Sequence, residues 1–244
     1  MNKGYFLSIL LLFLIWEIGY LMVGNSLLLP GPVETIAELI KLINTGALWA
    51  PLLSTVLKAM FGMMLALLLS LSTGFLLGIS SFLYILFRPL ILVLQAVPIV
   101  SWLALAILWW GVGFQSPMYI VFLTLYPIMT LNIIQGVRSV DVKLIEMARV
   151  FSLKRRTIFK DIYLGSILPF VFSSLKISSG IMWKSVAVAE FMVGVTGIGR
   201  KIADAKYFLD TKNVFAYTIV LVFLGLASEI IFNAVSKKVF NYVS

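Results

Sequence analysis

The chain of 244 residues contains no cysteine and no histidine. Without them there is no thiol nucleophile, no disulfide, no Ser-His-Asp triad and no metal site built on imidazole or thiolate. Charge is scarce as well: Asp, Glu, Lys and Arg make up 12% of the residues, against about 25% in an ordinary soluble domain. A phosphate loop of the form G-x-x-x-x-G-K-[ST] is also missing, so ATP is not bound by that route. The glycine-rich "GVTGIG" at 194–199 lacks the Lys-Ser/Thr pair and reads as a turn.

What the chain has in excess is hydrophobic surface. Hydrophobic residues make up 61% of it and its mean hydropathy is +1.08, more than a water-soluble core can absorb. The chain therefore lives in a bilayer, and its size suits one membrane domain over residues 1–244. The net charge of +9 would suit nucleic acid, but the basic residues lie mainly between apolar segments, where they set topology. No nucleic-acid partner is expected.

A helix needs about 20 apolar residues to cross the hydrocarbon layer. Six segments qualify, at about 5–24, 52–80, 89–110, 117–136, 168–192 and 213–235. The first is too long for a signal peptide and reads as a retained anchor. Between the first two, a Pro-Gly-Pro breaker precedes Val33, Ile36, Ala37, Ile40 and Ile43 at helical spacing, the pattern of an amphipathic helix lying at the interface. If the N-terminus is inside, eleven Lys and Arg fall in inner loops and five in outer ones. That bias puts both termini and the 137–167 loop in the cytoplasm.

Several residues within the spans stand out. Gly62, Ala66, Ser70, Gly74 and Gly78 recur every four residues and form a ridge of small side chains, which lets another helix approach closely, within one subunit or between two. Gln95, Pro98, Ser101 and Trp102 would share a face of the third span, lining a pathway or marking a kink. Lys184 and Glu190 are charges within the fifth span, and such groups face a bundle interior or a water-filled path. Six residues apart, they do not share a face, so each should have its own partner. Glu17 should find a hydrogen bond within the bundle.

The stretch "EMARVFSLKRRTIFKDIYLGSILP" at 146–169 is basic and amphipathic in an otherwise apolar chain. Leu144, Met147, Ala148 and Phe151 fall at i, i+3, i+4 and i+7, with Lys143, Glu146, Arg149 and Arg156 elsewhere on the wheel. A second helix starts near Lys154 and runs into the fifth span at Pro169. The loop could fix topology by charge, lie on the anionic leaflet, or present a helix to a groove in a cytoplasmic partner. The small Ala148 within the stripe favours docking.

The same stretch resembles the cytoplasmic loop of the permease subunits of bacterial ATP-binding-cassette importers, whose signature is E-A-A, three residues, G, nine residues, I-x-L-P. Glu146, Ala148, Ile162 and Leu164 match it, while Met147, Ser152 and Gly165 stand where the signature has Ala, Gly and Pro. Pro169, "LLPGP" at 28–32, "PLILVLQAVPIVSWLALAILWWGVG" at 89–113 and "WKSVAVAEFMVGVTGIG" at 183–199 extend the resemblance to the nitrate, sulfonate, taurine and bicarbonate group. It implies an all-α integral membrane fold of the MetI-like, type I importer kind, with a coupling helix that rests Leu144, Glu146, Met147, Ala148, Arg149, Phe151 and Ser152 on an ATPase. It further implies a homodimer around a central pathway touched by Gln95, Pro98, Trp102, Lys184 and Glu190, two ATPase subunits, and a solute-binding protein outside. ATP and Mg would belong to the ATPase, leaving this chain without a cofactor and without enzymatic activity. The cargo implied is a small anion or a pyrimidine vitamin precursor. A secondary transporter acting alone is the rival reading, but it would not need the docking helix. An intramembrane enzyme would lack both His and Cys.

Overall fold

The computed structural model describes residues 3–243; the side chains at 3, 5, 6, 9, 149, 155 and 237–243 lie outside that description. The side chains of Lys3, Arg149, Arg155, Lys237 and Lys238, all in the charge count and Arg149 also in the docking helix, therefore fall outside it. Among the described residues every regular element is helical. In order these are α1 (Lys3–Val23), α2 (Pro32–Asn44), α3 (Trp49–Ile79), α4 (Ser81–Ala96), α5 (Ile99–Trp110), α6 (Gln115–Arg138), α7 (Val142–Val150), α8 (Arg155–Thr157), a π-helical turn (Ile158–Tyr163), α9 (Leu164–Val193), α10 (Ile198–Tyr207) and α11 (Thr211–Val243).

The pairing of α3 with α6 organises the rest, and the small-residue ridge makes it possible. A Cβ added at Gly62 would lie 2.6 Å from the Met118 carbonyl oxygen and 2.8 Å from Val121. One added at Gly74 would lie 2.8 Å from Ile133, and one at Gly78 would overlap Val137. The partner of each glycine lies at the same offset along the chain, so the two helices run parallel in register. Ala66 and Ser70 are buried between them. The ridge thus serves contact within one subunit, where close backbone approach supplies the van der Waals gain that lipid cannot. Ala59, Met63, Leu125, Met129, Met182 and Val186 complete the core with α9, and Trp183 Nε1 donates to Ser228 Oγ of α11 at 3.0 Å.

Because α3 and α6 are parallel, the chain between them must return from one end of the bundle to the other. It does so in two pieces. The third span, expected as one helix over 89–110, is instead α4 and α5, bent by 93°. Pro98 has no N–H to continue the ladder and biases the residue before it away from helix. Val97 is accordingly extended, at φ −64° and ψ 122°. The expectation of six separate spans becomes, among the described residues, four helices long and apolar enough to span, this bent pair, and the apolar Leu10–Val23 part of α1.

α9 and the π-helical turn before it form a stretch of 36 residues, about 54 Å long at 1.5 Å per residue. That exceeds the roughly 30 Å hydrocarbon layer, so the stretch reaches beyond it, as the second helix from Lys154 was expected to. α2 starts with Pro32 at its first position, where the missing N–H costs nothing. It packs Thr35 and Leu42 inward and leaves Val33, Ile36, Ile40 and Ile43 exposed, as an interfacial helix should. α1 is held at its far end by Trp16, which donates to the Pro30 carbonyl at 3.0 Å and stacks on Phe215. Glu17 is half-buried there, and among the described residues it finds no hydrogen-bond partner; the expected bundle contact is absent.

Candidate functional site: a buried charge clamp and an exposed docking helix

Lys58 of α3 and Glu190 of α9 are both completely buried, and Lys58 Nζ lies 2.8 Å from Glu190 Oε1. The ammonium's other donors reach the Thr196 carbonyl oxygen at 2.6 Å and Thr196 Oγ1 at 3.1 Å, so its three protons are all used. Glu190 Oε2 accepts from Thr55 Oγ1 at 2.8 Å and from the Gly199 backbone N–H at 3.0 Å. Thr55 Oγ1 in turn accepts from the Ile198 N–H at 2.8 Å. The first free N–H groups of α10 are thus taken by a hydroxyl of α3 and a carboxylate of α9. A negative charge there also complements the α10 dipole.

Glycine makes this closure possible. Gly197 has φ +112°, and a side chain on it would overlap the Glu190 carboxylate. A Cβ at Gly194 would lie 2.7 Å from the Glu190 carbonyl oxygen, and one at Gly199 would lie 2.7 Å from Glu190 Cβ. "GVTGIG" is indeed a turn, and its work is to wrap backbone around a buried carboxylate. Two further ties converge here. The Phe114 ring lies 5.1 Å from Lys58 Nζ, and the Gly113 N–H donates to the Val193 carbonyl at 3.3 Å. α3, α9, α10 and the α5–α6 connection are therefore fastened at one end. A buried, hydrogen-bonded pair is costly to break from one side, by about 3–5 kcal/mol.

The opposite end carries α7. Leu144, Met147 and Phe151 are exposed, Phe151 at 70%, and Glu146 is exposed beside them. Ala148 is fully buried within the chain itself. Its small side chain therefore lets α7 sit against its own protomer, so it is not the point of closest approach to a partner. Ser152 ends the helix in the left-handed region, at φ +51°, with the Leu153 N–H donating to the Ala148 carbonyl at 2.9 Å. This is a Schellman-type end with serine where glycine is preferred.

The residues expected along a pathway do not form one surface. Gln95 is exposed on α4, while Ser101 and Trp102 lie on α5 beyond the bend, Ser101 exposed and Trp102 buried. The shared face read for them in one continuous helix is lost at Pro98. Lys184 is exposed on α9 and is in no ion pair among the described residues. Glu190 faces the clamp, away from any open path. Lys184 and Glu190 do not pair with each other; Glu190 has its own partner in Lys58, whereas the partner expected for Lys184 is not found among the described residues. Lys58 and Thr55 were missed as site residues, although a signal was present: Lys58 lies near the start of the second span and Glu190 near the end of the fifth, and in an alternating topology those positions are at the same depth. A buried carboxylate at that depth needs a cation.

Residues 58–241 match the family described as binding-protein-dependent transport system inner membrane component. SsuC of Bacillus subtilis (strain 168), named for aliphatic sulfonates transport, is 31% identical over 229 residues, covering 93% of this chain and 83% of its own. The taurine transport system permease TauC of Escherichia coli (strain K12) is 24% identical over 228 residues, covering 91% and 83%. The nitrate import permease NrtB of a Synechocystis species is 27% identical over 229 residues, covering 90% and 81%. Among solved structures, an inward-facing conformation of the MetNI methionine ABC transporter aligns with a TM-score of 0.56 at 18% identity, over 86% of this chain and 97% of that one. That likeness concerns the fold, which is of the MetI type. The chain belongs to the binding-protein-dependent transport system inner membrane component family, the membrane-embedded permeases of ATP-binding-cassette importers.

Proposed function

We propose that the chain, as a homodimer in a bacterial cell membrane, forms the translocation pathway of an importer driven by two ATPase subunits and supplied by a solute-binding protein. The observation that carries this reading is the exposed apolar stripe of α7, Leu144, Met147 and Phe151, on a short helix outside the spans. An apolar stripe on a protruding helix suits a groove in a partner. Ala148 anchors that helix to its own protomer, Glu146 supplies a polar contact at its side, and Ser152 fixes where it ends. ATP and Mg are held by the ATPase, and this chain needs no cofactor.

The cargo is a small anion such as a sulfonate or nitrate, a reading supported by the names of the relatives; a pyrimidine vitamin precursor is the second option. Gln95, Pro98 and Lys184 are exposed, and in this reading the second subunit completes the pathway around them. The lysine and arginine bias puts α7 and both termini in the cytoplasm, so an impermeant thiol reagent on intact cells should label Lys206→Cys and spare Lys154→Cys. The function is tested in vesicles holding the permease, its ATPase and its binding protein. Anion uptake should require ATP, and Phe151→Asp should abolish it without lowering the yield of permease. Uptake that proceeds without the ATPase would establish a secondary transporter instead.

A further inference from the structure

We propose that the cleft between α3, α4 and α6 on the α7 side of the bundle holds an anionic phospholipid, with the phosphate on Arg88 and Arg138 and an acyl chain in the cleft. Tyr84 marks the place. The guanidinium carbon of Arg138 lies 4.2 Å from the Tyr84 ring centroid, and that of Arg88 lies 5.6 Å from it. Two cations from different helices thus converge on one ring. Both arginines are exposed, and among the described residues neither is in an ion pair. The ring quadrupole attracts each cation but does not cancel their mutual repulsion. A phosphate would, and the planar fork of guanidinium matches its oxygens.

A second, independent feature runs along α4 from Leu83, the residue before Tyr84. Leu77, Leu83, Phe87, Leu90, Ile91 and Leu94 line an open cleft of about 400 Å³. From Leu83 to Leu94 it follows α4 for roughly 16 Å. Its polar wall atoms at the far side are already matched, since Tyr126 Oη donates to Thr73 Oγ1 at 3.2 Å. Water has little to bind there, whereas a hydrocarbon chain fits the lining. The opposite side of α4 already suits lipid, with Phe82 and Ile85 more than 70% exposed. Arg138 is the last residue of α6, and α7 begins at Val142. The two arginines are therefore at headgroup level on the α7 side, and with that side inward, as proposed above, they would attract anionic lipid of the cytoplasmic leaflet. A phosphate held there would also steady the end of α6 from which α7 extends.

The test is native mass spectrometry of the purified full-length permease with phosphatidylglycerol, phosphatidylcholine or glycerol phosphate added. Wild type should retain phosphatidylglycerol in preference to phosphatidylcholine on the order of tenfold, and glycerol phosphate should not displace it. Arg88→Gln with Arg138→Gln should abolish the preference while leaving the thermal unfolding midpoint in place. Leu90→Trp, which fills the cleft and leaves both arginines, should lower retention of both lipids. The proposal is overturned if the double variant keeps the wild-type preference, if glycerol phosphate competes as well as the lipid, or if Leu90→Cys cross-links two copies, which would make the cleft a subunit interface. It does not rest on docking to an ATPase, so its outcome is read separately.

Discussion

The end of the bundle that holds Lys58 and Glu190 and the end that holds α7 are built in opposite ways. At the first, a full positive and a full negative charge are buried, with all three ammonium protons donated and both carboxylate oxygens accepting. At the second, apolar side chains and basic groups stand exposed, and Arg88 and Arg138 share one tyrosine without a carboxylate. Charges matched within the protomer fasten α3, α9 and α10 to one another. Groups left unmatched mark the surfaces for which we propose a partner or a lipid. Lys184 and Glu190, six residues apart on one helix, show the same division on a smaller scale.

The comparison breaks most visibly if the clamp is not a clamp. Lys58→Met leaves the Glu190 carboxylate buried without its cation, and should cost about 3–5 kcal/mol, read as a large drop in the thermal unfolding midpoint of the purified permease. Adding Glu190→Gln to that variant should restore much of the loss, because no unpaired charge then remains. If the single variant unfolds like wild type, the pair contributes little. A smaller effect is expected at the turn: Gly197→Ala forces a side chain against the carboxylate at a φ that disfavours it, and should cost on the order of 1–3 kcal/mol. Its loss should shrink when Glu190 is already shortened to Ala. The smallest effect has the opposite sign. Ser152→Gly removes the left-handed strain at the end of α7 and should stabilise that turn by about 1 kcal/mol, visible as slower amide exchange at Leu153 and no change elsewhere.

Much of this was legible in the sequence, and the failures have physical causes. Composition and run length gave the membrane class and the approximate place of each apolar segment, since a helix crossing lipid must satisfy its own backbone. The four-residue spacing from Gly62 to Gly78 announced a close helix contact, though not which helix would take it. α7 was visible because its apolar residues recur at helical spacing in a basic context. Hydropathy is blind to direction, however, so the 93° break at Pro98 passed as a possible kink and Gln95 was placed on a face with Trp102. The Lys58–Glu190 pair joins residues 132 positions apart, beyond the reach of any local pattern. Ala148 shows a subtler limit. A helical wheel reports that a small residue lies in the stripe, but not whether its own chain or a partner takes up the space.

The central claim is that the α7 stripe is covered by the ATPase, and the absence of cysteine gives a clean probe of it. Phe151→Cys introduces the only thiol in the chain, at an exposed position, so maleimide labelling can be followed with and without the ATPase subunit. Lys206→Cys at the far end serves as the reference. The ATPase should slow labelling at Phe151→Cys at least tenfold and leave Lys206→Cys unchanged. Equal labelling rates at Phe151→Cys, with the ATPase shown to be bound, would contradict the claim.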